Sequence, residues 1–189
     1  EEFAAVSAQN FIPADKAQFF FTPTVVRTGS DVVLFDTGLS AAGTTAALEA
    51  AGIMPADVTV VVITHMHGDH VFGLPGLLAS LGLGGTSNGV DLYGPDPLDA
   101  YLQGVLRTSS TRIGYPLAVH RVREAAERDT VVFEDDDLIV TAAPLNHRVP
   151  AYAYRAEQKP RAGRFDIDKA RELQIPPGPV YAALKRGES

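Results

Sequence analysis

Hydrophobic positions along the chain fall into short blocks whose period changes from one block to the next. Val32-Val33-Leu34-Phe35 and the stretch Val58 to Ile63 are continuous apolar or β-branched runs, as expected of strands buried on both faces. Between them Gly43 to Ala51 is alanine-rich, carries Leu48, and is closed by Gly52 with Pro55 beyond, which reads as a helix with a glycine C-cap. Alternation of strand, helix and strand gives an α/β class. Upstream, Phe19 to Arg27 is aromatic and β-branched but interrupted by Pro23, so it reads as an edge or broken strand, joined to the next strand as a hairpin by Thr28-Gly29-Ser30-Asp31. Glu1 to Asp15 has no clean period and is left unassigned.

Farther on, Leu74, Leu77, Leu78 and Leu81 share one helical face, with Pro75 in the first turn. Gly82 to Gly89 is glycine-rich but lacks the spacing of a phosphate-binding loop, so it reads as a connection. Val90 to Tyr93 is a strand. Asp96-Pro97-Leu98-Asp99 then offers an N-cap, a proline at N1 and an acid at N3 for a helix to about Arg107. Leu117 to Val122 is a further strand, and its His120 reads as an edge or solvent-facing residue rather than a ligand. The acidic run Glu134 to Asp137 lies between the apolar runs Thr130 to Phe133 and Leu138 to Thr141, which makes it a hairpin turn; a calcium loop needs a longer, spaced ligand set.

At 189 residues and 46% hydrophobic, the chain is sized for one domain with a substantial core. Its zero cysteines exclude disulfides, metal-thiolate clusters and thiol nucleophiles, so a metal would have to be held by histidine and carboxylate. No apolar run approaches the roughly 18 residues of a membrane span, and the N-terminus has no signal-peptide pattern; a soluble chain without membrane contact is expected. Because the sequence begins at Glu1 rather than Met, an upstream piece stays open. The net charge of −7 hides an asymmetry: residues 1–147 hold 7 basic against 18 acidic residues, a balance of −11, while residues 148–186 hold 9 against 4, a balance of +5. From charge alone the basic end reads as a solvated tail.

The stretch that changes the picture is Ile63-Thr64-His65-Met66-His67-Gly68-Asp69-His70, at the exit of a strand. In an extended or looped segment His65 and His67 point to the same side, and Asp69 and His70 can turn toward a second point. One loop can thus serve two metal ions; imidazole and carboxylate suit zinc, manganese or iron, and ion pairs about 3.5–4 Å apart serve in phosphate-ester hydrolysis. Asp36, followed by Thr37-Gly38, places a carboxylate at another strand terminus, where it can be structural or catalytic. His147 stands just past a strand that ends in Ala142-Ala143-Pro144, and the residues alone leave open whether it is a ligand.

His65 to His70 together with Asp36-Thr37-Gly38 resembles the metallo-β-lactamase superfamily, whose mark is an HxHxDH loop in an αββα sandwich. Val71 to Leu78, Tyr93-Gly94-Pro95 and Pro144 to Arg155 are similar to ribonuclease Z, the endonuclease that removes the 3′ trailer of precursor tRNA. That resemblance covers roughly residues 58–188, the N-terminal half of the family. It extends to the family's flexible arm through Gly163-Arg164-Phe165-Asp166 and Ile175-Pro176-Pro177-Gly178-Pro179. Residues 1–60, notably Asn10 to Lys16 and Val33 to Ala51, look more like the lactonase and organophosphate-hydrolase branch.

The resemblance implies an incomplete metallo-β-lactamase domain over residues 1–155 and the start of a basic substrate-binding arm over 156–189, with Pro176 to Pro179 an extended, stiff segment. It implies two divalent ions, zinc by expectation, one on His65, His67 and His147 and the other on Asp69 and His70. Asp69 would help hold or deprotonate the attacking water, Asp36 would brace the loop, and Arg164, Lys169, Arg171, Lys185 and Arg186 would meet phosphates of precursor tRNA. A cytoplasmic location follows from the same likeness. The family's second half, with its further ligands, has no counterpart here, and no histidine follows His147. A filled first site, a weak second one, and a half-sandwich that dimerises through exposed apolar surface are therefore expected. A small-molecule hydrolase (a lactonase or esterase) and an inactive tRNA-binding fragment are the alternatives.

Overall fold

The computed structural model describes residues 2–9, 21–86, 88–122, 130–161 and 165–187. In chain order the elements are α1 (Glu2–Gln9), β1 (Thr24–Arg27), β2 (Val32–Phe35), α2 (Ala41–Ala50), β3 (Val60–Val62), α3 (Gly68–Val71), α4 (Leu74–Leu83), β4 (Val90–Pro95), α5 (Pro97–Thr108), β5 (Leu117–Val122), β6 (Thr130–Glu134), β7 (Leu138–Leu145), β8 (Ala151–Gln158), α6 (Ile167–Glu172) and α7 (Pro179–Lys185). Strands β1 to β5 form one sheet in sequential order, β1 antiparallel to β2 and the rest parallel, and β6 to β8 form an antiparallel meander.

Sequential order sends every parallel crossover in the same direction, and the usual right-handed sense then puts all connecting helices on one face. The two faces of β2 and β3 divide accordingly. Val32, Leu34, Val61 and Ile63 pack with Leu48 of α2, with Leu74, Leu77, Leu78 and Leu81 of α4, and with Leu98 and Leu102 of α5. On the other face Val33, Val60 and Val62 meet Leu138 and Val140 of β7. The described residues thus form three layers, helices on a five-stranded sheet on a three-stranded sheet, as the first part of an αββα sandwich requires.

Several boundaries move from the sequence expectation. The unassigned N-terminus contains α1, and Asn10 to Lys16 lies outside the described residues, as do Phe19 and Phe20. Strand β1 begins only after Pro23, which has no N–H for a ladder. Helix α2 starts at Ala41, because the Ser40 side chain accepts from Gly43 N at 3.2 Å and caps it. Asp96 makes no side-chain cap: its own backbone is already helical, and Pro97 opens α5. Strand β8 runs to Gln158, paired with Leu138, so the sheet passes the expected domain boundary at residue 155. In the segment read as a basic arm, Pro176 to Gly178 is non-helical as expected, but Pro179 is not part of an extended segment. It takes the first turn of α7, where its missing N–H costs nothing.

At the end of β2 away from Asp36, the two sheets are latched turn to turn. Thr28 Oγ1 donates to Asp135 Oδ2 at 3.2 Å, Gly29 N to Asp137 Oδ2 at 3.2 Å, and the amides of Asp137 (2.6 Å) and Leu138 to Asp135 Oδ1. Burial pushes the Asp135 carboxyl up, but these amides and the Thr28 hydroxyl outweigh it and hold it below the usual carboxylate range. A carboxyl that ionises more readily folded than unfolded stabilises the fold above its unfolded pKa of about 3.9, and the contribution is lost as pH falls through the folded value. Asp135→Asn is expected to cost about 1 kcal/mol near pH 7, with the gap to wild type closing below about pH 4, as read from urea midpoints across pH.

Candidate metal centre

The site grows from the carboxyl ends of neighbouring parallel strands. Phe35 of β2 is in register with Val62 of β3, and Asp36 N donates to Val62 O at 2.8 Å, so the chains leaving both strands start side by side. Asp36 sits at φ +60°, a left-handed conformation that costs a non-glycine residue on the order of 1 kcal/mol. Its carboxylate repays that strain: Oδ1 accepts from Thr64 N at 2.8 Å, and Oδ2 from Thr64 Oγ1 at 2.9 Å and from His70 Nδ1 at 2.7 Å.

These bonds fix tautomers. With its one proton given to Asp36, the Thr64 oxygen accepts from His65 Nδ1 at 3.0 Å. His65 and His70 therefore carry N–H on Nδ1 and keep a lone pair on Nε2, the state a metal ligand needs. The carbonyl of His70 accepts from Thr37 N and Thr37 Oγ1 at 2.8 and 2.9 Å, holding the turn of α3 against the loop after β2. That approach requires Gly73, where a Cβ would lie 2.1 Å from Thr37 O. The segment read as loop is in part helical, with Asp69 and His70 in α3, and the His70 ring packs on His65 with centroids 4.0 Å apart.

His147 arrives from the second sheet. Tyr152 N donates to Thr64 O at 3.0 Å, Tyr154 OH to Ile63 O at 3.3 Å, and Ala151 forms an antiparallel bridge with His65. These contacts dock the start of β8 on the end of β3 and bring the β7–β8 loop to the histidines. One ligand nitrogen each from His65, His67 and His147 then lies within 4.8 Å of the others. His65 Nε2 is 3.1 Å from His67 Nδ1, and His147 Nε2 is 3.2 Å from the same atom. A tetrahedral ion with Zn–N bonds of about 2.0–2.1 Å spaces its ligand nitrogens about 3.3–3.4 Å apart, so this donor set fits a divalent ion with little movement. Burial first, and then the neighbouring His70, His67 and His147, push the His65 pKa down against the opposing pull of Asp36, which favours the neutral imidazole.

Asp69 and His70 come together as a second pair, Oδ2 to Nε2 at 3.4 Å. Among the described residues a group of three ligands forms only at His65, His67 and His147. His120 stands apart, stacked on Tyr93 with ring centroids 4.4 Å apart and bonded to Asp91. Arg164 lies outside the described residues. Lys169 and Arg171, on α6, pair at 3.0 Å with Glu172 and Asp168 of the same helix, and Lys185 and Arg186 sit at the end of α7. Sequence reasoning missed Thr64, although a hydroxyl between a buried strand and the first histidine is a signal that could have found it.

The profile of the metallo-beta-lactamase superfamily matches residues 22–159, which takes in part of the segment that looks lactonase-like. The chain is 96% identical over 129 residues to a ribonuclease Z of Synechococcus sp. (strain CC9311), covering 68% of this chain and 41% of the relative. It is 51% identical over 159 residues to a ribonuclease Z of Prochlorococcus marinus (strain NATL2A), covering 84% and 50%. The crystal structure of human tRNase Z, short form, superposes with a TM-score of 0.64 at 29% identity, covering 73% of this chain and 57% of that one. The chain thus spans about half the length, or less, of the sequence relatives it matches.

Asp36→Ala and Thr64→Val are each expected to weaken zinc affinity about 10- to 100-fold by freeing the imidazole tautomers, measured by competition with a chromophoric chelator, with far-ultraviolet dichroism unchanged.

Proposed function

The chain belongs to the metallo-beta-lactamase superfamily, and from that premise we propose that it is the metal-binding half of a ribonuclease Z-like phosphodiester hydrolase acting on the 3′ trailer of precursor tRNA. The observation that carries the proposal is the convergence of three imidazoles within 4.8 Å, in a chain 96% identical over 129 residues to a protein named ribonuclease Z. The name of the structural neighbour, tRNase Z, points to the same substrate class.

In this proposal His65, His67 and His147 hold one divalent ion, zinc, and Asp69 with His70 contribute two ligands to a weaker second. A cation there supplies positive charge for the phosphoryl oxygens as they take up charge in the transition state. The chain's own residues do the rest. His65 offers a neutral lone pair on Nε2 because Thr64 holds its other nitrogen, and Asp36 holds His70 in the matching tautomer. Asp69 is the carboxylate placed to orient the attacking water or accept its proton. Self-association belongs to the proposal as well, supported by exposed apolar side chains such as Val131 and Leu145; light scattering tests it, with a dimer mass as the expected result. Among the described residues no helix is long and apolar enough to cross a membrane.

The test incubates the chain with zinc or manganese and a precursor tRNA. Release of the trailer is expected, falling at least about 100-fold in His67→Ala and unchanged in His120→Ala. Lactone turnover in its place would support the small-molecule hydrolase, and tRNA binding indifferent to metal would support a binding module. After dialysis, metal analysis is expected to find one tightly held ion per chain; two would contradict the weak second site.

A further inference from the structure

Two clefts meet at His147. The larger, about 660 Å³, runs from Asp36, His65 and His70 past His147 along β8, and no lysine or arginine lines it. The smaller, about 360 Å³, is lined by the loop between β7 and β8 and shares Leu145, His147, Ala151 and Tyr152 with the larger, and Arg148 is its one lysine or arginine. Several surface cations of this chain are committed to acids: Arg121, Arg155, Lys159, Arg161, Lys169 and Arg171 each form an ion pair with a carboxylate, whereas Arg27, Arg107, Arg112 and Lys185, which line neither cleft, form none among the described residues. Among the described residues no hydrogen bond or ion pair is formed by the exposed Arg148.

Its backbone, in contrast, is anchored on both sides. His147 meets His67 at 3.2 Å, and Pro150, whose ring fixes φ, leads into Ala151 and Tyr152, which are tied to His65 and to Thr64 O. A guanidinium on a fixed base and without a carboxylate is poised for an anion from outside, and its planar fork suits phosphate oxygens. The imidazole cluster takes one phosphate. A nucleic-acid strand carries a negative charge on each of its neighbours too, whereas a lactone or a simple ester carries none.

We propose that the cleft beside His147 is a subsite for a phosphate flanking the one that is cut, and that Arg148 is the positioning residue that holds it. The proposal rests on the nucleic-acid reading above and deepens it: the flanking charge would make the site select a polynucleotide over a small ester. Away from its imidazole end the larger cleft carries no lysine or arginine, so that part takes an uncharged portion of the substrate.

The test uses the full chain with manganese and a short fluorescent RNA spanning a tRNA 3′ boundary, made uncleavable by a methylene in place of the bridging 3′ oxygen at the cut. One phosphate at a time is replaced by a neutral methylphosphonate, and binding is followed by anisotropy. In wild type, one replacement beside the boundary is expected to weaken binding about tenfold. Arg148→Ala should weaken the all-phosphate RNA by about the same factor and become indifferent to that replacement, the coupling a double-mutant cycle isolates. Arg148→Lys should restore part of the affinity, since charge returns without the fork, and metal content should be unchanged in both variants. If Arg148→Ala stays as sensitive as wild type at every position, or no position matters in wild type, the subsite is wrong while the nucleic-acid reading stands. If wild type binds no RNA, that reading fails and the subsite with it.

Discussion

The carboxylate of Asp36 is the constraint on which the rest of the site depends. Strained backbone at φ +60° aims it across the ends of β2 and β3, where it accepts from the Thr64 amide, the Thr64 hydroxyl and His70 Nδ1. Charge-assisted bonds of this kind are each worth about 1.5–3 kcal/mol, more than the roughly 1–3 kcal/mol stored in the left-handed backbone. One acidic residue thereby decides where the loop after β3 runs and which nitrogen of two imidazoles carries the proton. Without it, the motif would still contain three histidines, but nothing would fix the lone pairs of His65 and His70 on Nε2.

What makes room for that carboxylate is the topology. Sequential parallel strands send α2, α4 and α5 to one face and leave the other for β6 to β8. The carboxyl ends of β2 and β3 then face the β7–β8 loop, and the third imidazole comes from 80 residues beyond His67. The same docking that delivers His147 delivers Arg148, so the third imidazole and the neighbouring positive charge are products of one contact, the start of β8 against Thr64 and His65.

Much of this was legible in the sequence where local chemistry dominates. The apolar runs of β2 and β3 and the leucine face of α4 are set by period and burial, and glycine and proline mark their ends. The histidine loop was legible as a candidate site because six residues holding three histidines and an aspartate have no packing rationale. His147 was not decided by its own surroundings, since a histidine past a strand is ambiguous until another strand places it. Thr64 and the left-handed Asp36 were hidden because both depend on the register between β2 and β3, which no local pattern reports. The latch between Thr28 and Asp135 was hidden for the same reason, being a contact 107 residues apart in sequence. Pro179 shows the reverse error: proline reads locally as a helix breaker, and only its position at a first turn makes it a helix starter.

The central claim is that His65, its tautomer fixed through Thr64 and Asp36, converges with His67 and His147 on one ion. X-ray absorption at the zinc edge of the loaded chain tests this most directly. A first shell containing three nitrogen ligands at about 2.0–2.1 Å, with the multiple-scattering signature of imidazole, is the predicted result. A shell made mainly of oxygen, or one with a single imidazole, would contradict it.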